Sequence, residues 1–187
     1  MNYSKLALAG MSFSLLISGV AYAADGDTSV IANGGTIHFQ GEFINAACAV
    51  STESSNQTVQ MGQYRTAAFK AVGDTLTSVP FTISLNECDN SIAKQAQVSF
   101  AGQLDATDKT LLALNSAGNA STAKGVALQI LDSASNPITP DGSTYSVAQN
   151  LINGTNTLRF SANYKSTAEK VTAGQANADA TFMIKYQ

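Results

Sequence analysis

Residues 29–41 read S-V-I-A-N-G-G-T-I-H-F-Q-G, and the fold turns on whether this stretch has a partner within its own chain. An extended backbone points successive side chains to opposite faces. On that spacing Ile31, Asn33, Gly35, Ile37, Phe39 and Gly41 share one face, and Ala32, Gly34, Thr36, His38 and Gln40 share the other. The first face carries apolar knobs around a notch at Gly35, while the second is small or polar. No hairpin signal follows, because residues 42–50 continue without a turn. The stretch is predicted to be a strand made for insertion into a groove.

Toward the C-terminus the chain is rich in Thr, Ser, Ala, Asn and Gly, with apolar residues at alternate positions. Residues 42–50 are expected to form a first body strand, with Phe43, Cys48 and Val50 available to a core. Residues 58–63 alternate around Val59 and Met61 and predict a second strand. Residues 64–74 fit a turn of helix or an irregular edge. Residues 77–86 place Val79, Phe81, Ile83 and Leu85 on one face, with Pro80 marking a start at an edge or bulge because it has no N–H to donate.

Residues 96–102 turn Val98 and Phe100 inward, and residues 125–132 do the same with Val126, Leu128 and Ile130. The apolar run 111–114 is too short to assign, and 116–124 is small and polar, a loop. Pro137, Pro140 and Asp141-Gly142 supply turn chemistry. Residues 145–149 are a weak strand, and Asn153-Gly154 fits a hairpin turn. Residues 157–165 put Leu158, Phe160, Ala162 and Tyr164 on one face, and after a loop at 166–176 the last strand puts Ala178, Ala180, Phe182, Ile184 and Tyr186 on one face. Short alternating strands at turn-rich intervals predict an all-β sandwich of two antiparallel sheets.

An immunoglobulin-like sandwich needs one more strand after the one ending at Tyr186, and here the sequence stops at Gln187. A missing strand leaves backbone groups unpaired and core side chains wet, an edge that proteins usually protect. The expectation is an incomplete sandwich with a spare strand at its head.

Toward the N-terminus, residues 1–23 have the pattern of a secretory signal. Lys5 supplies the positive charge, residues 6–20 the apolar stretch, and Ala21-Tyr22-Ala23 the cleavage site. The apolar run is short for a membrane span and is broken by serines and glycines. The organisation expected is a signal peptide over 1–23, an N-terminal extension over 24–41 and a body over 42–187.

Removing Lys5 with the leader leaves 9 basic against 13 acidic residues, a net charge of −4. A weakly acidic chain whose only arginines are Arg65 and Arg159 is not composed for nucleic acid. Two cysteines, Cys48 and Cys88, remain after export, most simply as a disulfide; a metal or redox pair is the rival, without a C-x-x-C spacing or a second histidine beside His38. The 105–108 stretch D-A-T-D lacks the ligand run of a calcium loop and fits a solvated turn. No G-x-S-x-G is present, and a catalytic triad would have to recruit His38 from the polar face of a strand. Neither an enzyme nor a cofactor is expected.

Several stretches together resemble the type 1 fimbrial major subunits, the major pilins of the chaperone–usher family. They are N-G-G-T-I-H-F at 33–39, Gly41-Glu42, N-A-A-C-A-V at 45–50, Q-M-G-Q at 60–63, L-N-E-C at 85–88, N-G-T-N-T at 153–157 and A-N-A-D-A-T-F at 176–182. Gly174, fourteenth from the C-terminus, and the penultimate Tyr186 match the C-terminal signature of that family. The resemblance runs in order along the mature chain; A-D-G-D-T-S at 24–29 is longer and more acidic than the family pattern.

The resemblance implies an immunoglobulin-like fold lacking its last strand and completed in trans. A periplasmic chaperone would first lend a strand. At an outer-membrane usher, the next subunit's extension would replace it, building a helical polymer of copies capped by tip adaptor subunits on the cell surface. Ile31, Asn33, Gly35, Ile37 and Phe39 would be the donor strand, with Ile37 and Phe39 filling pockets and Gly35 at a shallow place. Gly174, Ala178, Ala180, Phe182, Ile184 and Tyr186 would carry the acceptor edge, and the family pairs the cysteines corresponding to Cys48 and Cys88. The alternatives are a minor adaptor, which shares all these features, and a carbohydrate-binding tip subunit, for which there is neither a second domain nor a tryptophan.

Overall fold

The computed structural model describes residues 31–115 and 121–187. The predicted signal, the first residues of the extension and positions 116–120 lie outside the described residues. Two units are distinguished, Met1–Gly41 and Glu42–Gln187.

In the first unit, residues 31–41 are exposed and form no ladder. Gly35 has φ +109° and its N–H is held by Asn33 Oδ1 at 3.2 Å. The expected period of two is interrupted at Gly35, and among the described residues this stretch pairs with nothing.

The second unit is all-β with a single turn of α-helix. One sheet has the order β1 (Ala49–Val50), β2 (Val79–Cys88), β8 (Gly154–Ser166), β4 (Val126–Leu131), β5 (Pro137–Ile138). The other is centred on β3 (Gln95–Gly102), flanked by β6 (Asp141–Tyr145) and β7 (Gln149–Asn150) on one edge and β9 (Ala180–Tyr186) on the other. Ser99 pairs with both Tyr145 and Met183, and Ala96 with both Gln149 and Tyr186, so β6 and β7 share an edge and β9 has the opposite one.

The alternating positions do face inward. Ile83, Leu85, Val98, Phe100, Ile130, Ile138, Leu158 and Phe160 are buried together with the Cys48–Cys88 disulfide. Phe160 stacks on Phe81 at 5.6 Å between ring centres and meets Phe100 edge-on at 5.4 Å, which locks the two sheets together. Of the unassigned run at 111–114, Leu111 and Leu112 are buried, and Leu112 bridges both Leu128 and Leu104.

Three expectations are corrected. Of residues 42–50 only Ala49–Val50 form strand, and Phe43 is fully exposed instead of joining the core. Residues 58–63 pair with nothing among the described residues, although Val59 and Met61 are half-buried and their neighbours exposed. Asn153-Gly154 is not a hairpin turn; it carries the chain from β7 in one sheet to β8 in the other, with Gly154 at φ +92°. Its dipeptide chemistry supplies the positive φ but says nothing about which strands the turn joins. Pro80 sits on β2 opposite Ser161, beyond the part of β2 that the two-residue β1 covers, so its missing N–H faces an edge as expected.

Candidate functional site

Along β9, Phe182, Ile184 and Tyr186 alternate with exposed Thr181, Met183 and Lys185. The first three pack on the core but stay only half-buried. Among the described residues, β9 pairs with β3 alone. Its other edge therefore offers a row of backbone donors and acceptors beside apolar side chains that are half wet.

Across from β9, the chain leaving β1 runs along the outer edge of β2 without forming a ladder. Ser51 begins the short helix α1 (Thr52–Ser55) as its N-cap. The contacts to β2 are the Ser51 N–H to the Ser84 carbonyl (2.9 Å), the Ser84 N–H to Ser54 Oγ (2.9 Å) and Gln57 Nε2 to the Thr82 carbonyl (3.0 Å). Between this segment and β9 the sandwich is open as a cleft of about 1570 Å³. Phe81, Ile83, Phe100, Ala162, Tyr164 and Phe182 line it, so its floor is the inter-sheet core itself.

The two ends of the cleft are fastened by tyrosines. At one end the Tyr186 hydroxyl donates to the Cys48 carbonyl at 3.3 Å. At the other the Tyr164 hydroxyl donates to the Ala176 carbonyl at 2.6 Å, and the Tyr64 ring meets Tyr164 edge-on at 5.6 Å. Burial pushes both the Tyr164 and Tyr186 hydroxyls above the usual phenol value of 10.0, Tyr64 adding to the effect at Tyr164. Both hydroxyls thus act as neutral donors at ordinary pH.

The sequence-predicted residues fall into two groups. Ala178, Ala180, Phe182, Ile184 and Tyr186 lie on or beside β9, and Gly174 lies on the approach to it. A side chain at Gly174 would collide with the backbone of Ser121, Thr122 and Ala123. Ile31, Asn33, Gly35, Ile37 and Phe39 lie in the other unit, with Ile31, Ile37 and Phe39 all highly exposed. His38 is also exposed. Asp105 spends its side chain on a turn, accepting from the N–H groups of Thr107 and Asp108, while Asp108 Oδ2 pairs with Lys165 Nζ at 3.2 Å. The aromatic floor of the cleft was legible in sequence only as core. Its opening to solvent depends on which strand pairs with which.

The architecture is a sandwich of two antiparallel sheets in which, among the described residues, β9 pairs only with β3 and lies beside an open cleft. The chain belongs to the fimbrial protein family, whose model matches residues 37–187. Over 183 residues it is 54% identical to the type 1 fimbrial subunit of Salmonella typhimurium, covering 98% of each chain. Among solved structures, a subunit of a chaperone–usher pilus studied for the basis of rod uncoiling is similar at TM-score 0.69 and 25% identity, covering 85% of this chain and 99% of that one. The P pilus rod subunit PapA is similar at TM-score 0.63 and 25% identity, over 76% of this chain and all of its own. The protein is a structural pilus subunit, and its family is not one of enzymes. Fimbrial subunits polymerise with other subunits into extracellular surface pili, so the chain is exported.

Proposed function

We propose that this subunit polymerises by strand donation in trans: residues 31–41 of one copy lie along the free edge of β9 in the next. Strand addition to an open sheet edge is an established mode of recognition, for which chaperone–pilin complementation is itself an example. The observation that carries the proposal is the pairing of opposites within one chain. Phe182, Ile184 and Tyr186 stay half-buried on β9, with Phe182 lining the open cleft, and a separate extension holds Ile37 and Phe39 in solvent.

Burying Ile37 and Phe39 is worth roughly 3–6 kcal/mol, at about 1.5–3 kcal/mol for each large side chain. Each ladder hydrogen bond adds about 0.5–1.5 kcal/mol net. Ordering the extension opposes this by about 1–2 kcal/mol per backbone residue. On seating, Gly35 leaves its positive φ for an extended one, a change open to glycine at no steric cost. Residues 58–63 form the far wall of the cleft, and their unused alternation at Val59 and Met61 suits them to become a strand once a neighbour arrives.

The finer parts of the pathway follow from the same open edge. An exported chain with its core exposed needs a temporary cover, the task of a periplasmic chaperone. An outer-membrane usher would exchange that cover for the next extension, and tip adaptor subunits would end the fibre. Residues 1–23 direct export as a cleaved signal, residues 24–41 are the extension, and residues 42–187 are the body.

The experiment is photo-cross-linking. A cross-linking amino acid replaces Phe39 in isotopically mixed fibres, and the expected product joins position 39 of one copy to β9 of another. A product confined to single chains would overturn donation in trans.

A further inference from the structure

Two Asn-Gly pairs lie among the described residues, Asn33-Gly34 in the extension and Asn153-Gly154 in the body, and their surroundings differ. This dipeptide is prone to deamidation, because glycine has no Cβ to hinder the approach of its own nitrogen to the preceding side chain. Asn33 is exposed, and nothing lies within 4 Å of where a side chain on Gly34 would begin. Among the described residues the Gly34 N–H has no hydrogen-bond acceptor. The Gly35 N–H donates to Asn33 Oδ1 at 3.2 Å, which polarises the carbonyl that ring closure would attack. At the other pair the body holds both parts still. Asn153 Oδ1 accepts from the Asn90 N–H at 2.8 Å, across 63 positions of sequence, and Gly154 is fixed in β8 opposite Cys88. The Asn153 amide must release another segment before it can turn onto its own backbone, and the Asn33 amide need not.

We propose that Asn33 is a site of spontaneous deamidation, open in the unassembled subunit and closed once the extension is seated, so that a subunit left waiting spoils as a donor. The closing rests on strand donation in trans. The Gly34 nitrogen loses its proton to solvent base and bonds to Asn33 Cγ, while the Cγ–Nδ2 bond breaks and ammonia leaves with a proton from water. Water then opens the cyclic imide. Cleavage at Cγ leaves aspartate at position 33, and cleavage at the backbone carbonyl leaves isoaspartate, with the chain running through Cγ. Seating holds Asn33 and Gly34 extended in a ladder, where the Gly34 nitrogen cannot fold back onto Cγ. Either product puts a carboxylate on the strand face shared with Ile37 and Phe39, and burying an unpaired charge is costly. Isoaspartate also lengthens the backbone by one carbon, which moves Ile31 out of register.

The test holds fibres, and subunits dissociated from them, side by side in heavy-oxygen water at mildly alkaline pH, and reads positions 33 and 153 by peptide mass spectrometry. The expected result is label accumulating at position 33 of the free subunits, as aspartate and isoaspartate, with far less at position 153 in either sample or at position 33 in fibres. Modified chains should also be scarcer in fibres than in the unassembled pool of the same cells; equal shares would show that the product still donates and overturn the spoiling. If position 33 of the free subunit reacts no faster than position 153 while position 39 cross-links between copies, this inference falls alone. If position 33 is labelled equally in fibres and free subunits, closing by assembly is overturned. Should the cross-link between copies at position 39 then also be missing, strand donation falls with it.

Discussion

The hydroxyl of Tyr186, the penultimate residue, donates to the carbonyl of Cys48 at 3.3 Å, closing the foot of the cleft across 138 positions of sequence. It joins the last strand of one sheet to the start of the first strand of the other, beside the disulfide. The Tyr186→Phe variant keeps the ring and loses only the hydrogen bond. It should lower stability by about 0.5–1.5 kcal/mol, read as a shift in the urea midpoint without a change in slope.

The disulfide itself closes a loop of 40 positions. Constraining the unfolded chain over that length is worth about 3–4 kcal/mol. Replacing both Cys48 and Cys88 by alanine should cost that much, with reductant lowering the wild-type melting temperature and leaving the variant unchanged.

Gly174 approaches the backbone of residues 121–123 too closely for any side chain. Around it the Gln175 N–H donates to the Ser121 carbonyl at 2.6 Å and the Ala123 N–H to the Gln175 carbonyl at 2.9 Å. The Gly174→Ala variant must push these two segments apart, at a cost of about 1–3 kcal/mol typical of overpacking. Thermal unfolding of the purified subunit would measure it, and a melting temperature equal to wild type would show that the approach is looser.

Asp132 ties the two sheets through a buried carboxylate. Its Oδ1 accepts from the Ala134 and Asn136 N–H groups, both at 2.9 Å, and its Oδ2 from the Val147 N–H at 3.1 Å. Burial pushes its pKa up, but the donors of Asn136, Val147 and Ala134 together outweigh burial and hold it below the usual 3.8. A carboxyl depressed in the folded state contributes stability above the unfolded value and loses it as pH falls through the folded one. Stability should therefore decline as pH drops below about 3.8. The Asp132→Asn variant should show a shallower decline, reduced but not abolished, because Asp141 is also depressed, to about 2, by the Thr144 and Ser143 N–H groups.

In the extension, Gly35→Leu tests the proposed seat: strand donation with Gly35 over a shallow part of the cleft would leave a leucine there without room. Fibre yield should fall strongly, while Ala32→Ser on the opposite face should leave it unchanged. Normal assembly of the leucine variant, by electron microscopy of surface fibres, would show that Gly35 does not face the cleft floor.

Much of the body was legible because burial follows the two-residue period wherever one face of a strand meets a core. Phe81, Ile83 and Leu85 on β2, and Leu158, Phe160 and Ala162 on β8, could be assigned inward from spacing alone. The two cysteines and the order of the alternating stretches are equally properties of the chain itself. Local chemistry went no further. The dipeptide Asn153-Gly154 determines a positive φ but not that it links two different sheets, and the alternation at 58–63 cannot supply a neighbour to bond with. Nor does spacing reveal that Leu112 bridges Leu128 and Leu104, or that Tyr186 reaches Cys48. Those depend on which edges meet in space, because a ladder or a cleft is a relation between segments far apart in sequence, and only the packed sandwich decides which segments stand side by side.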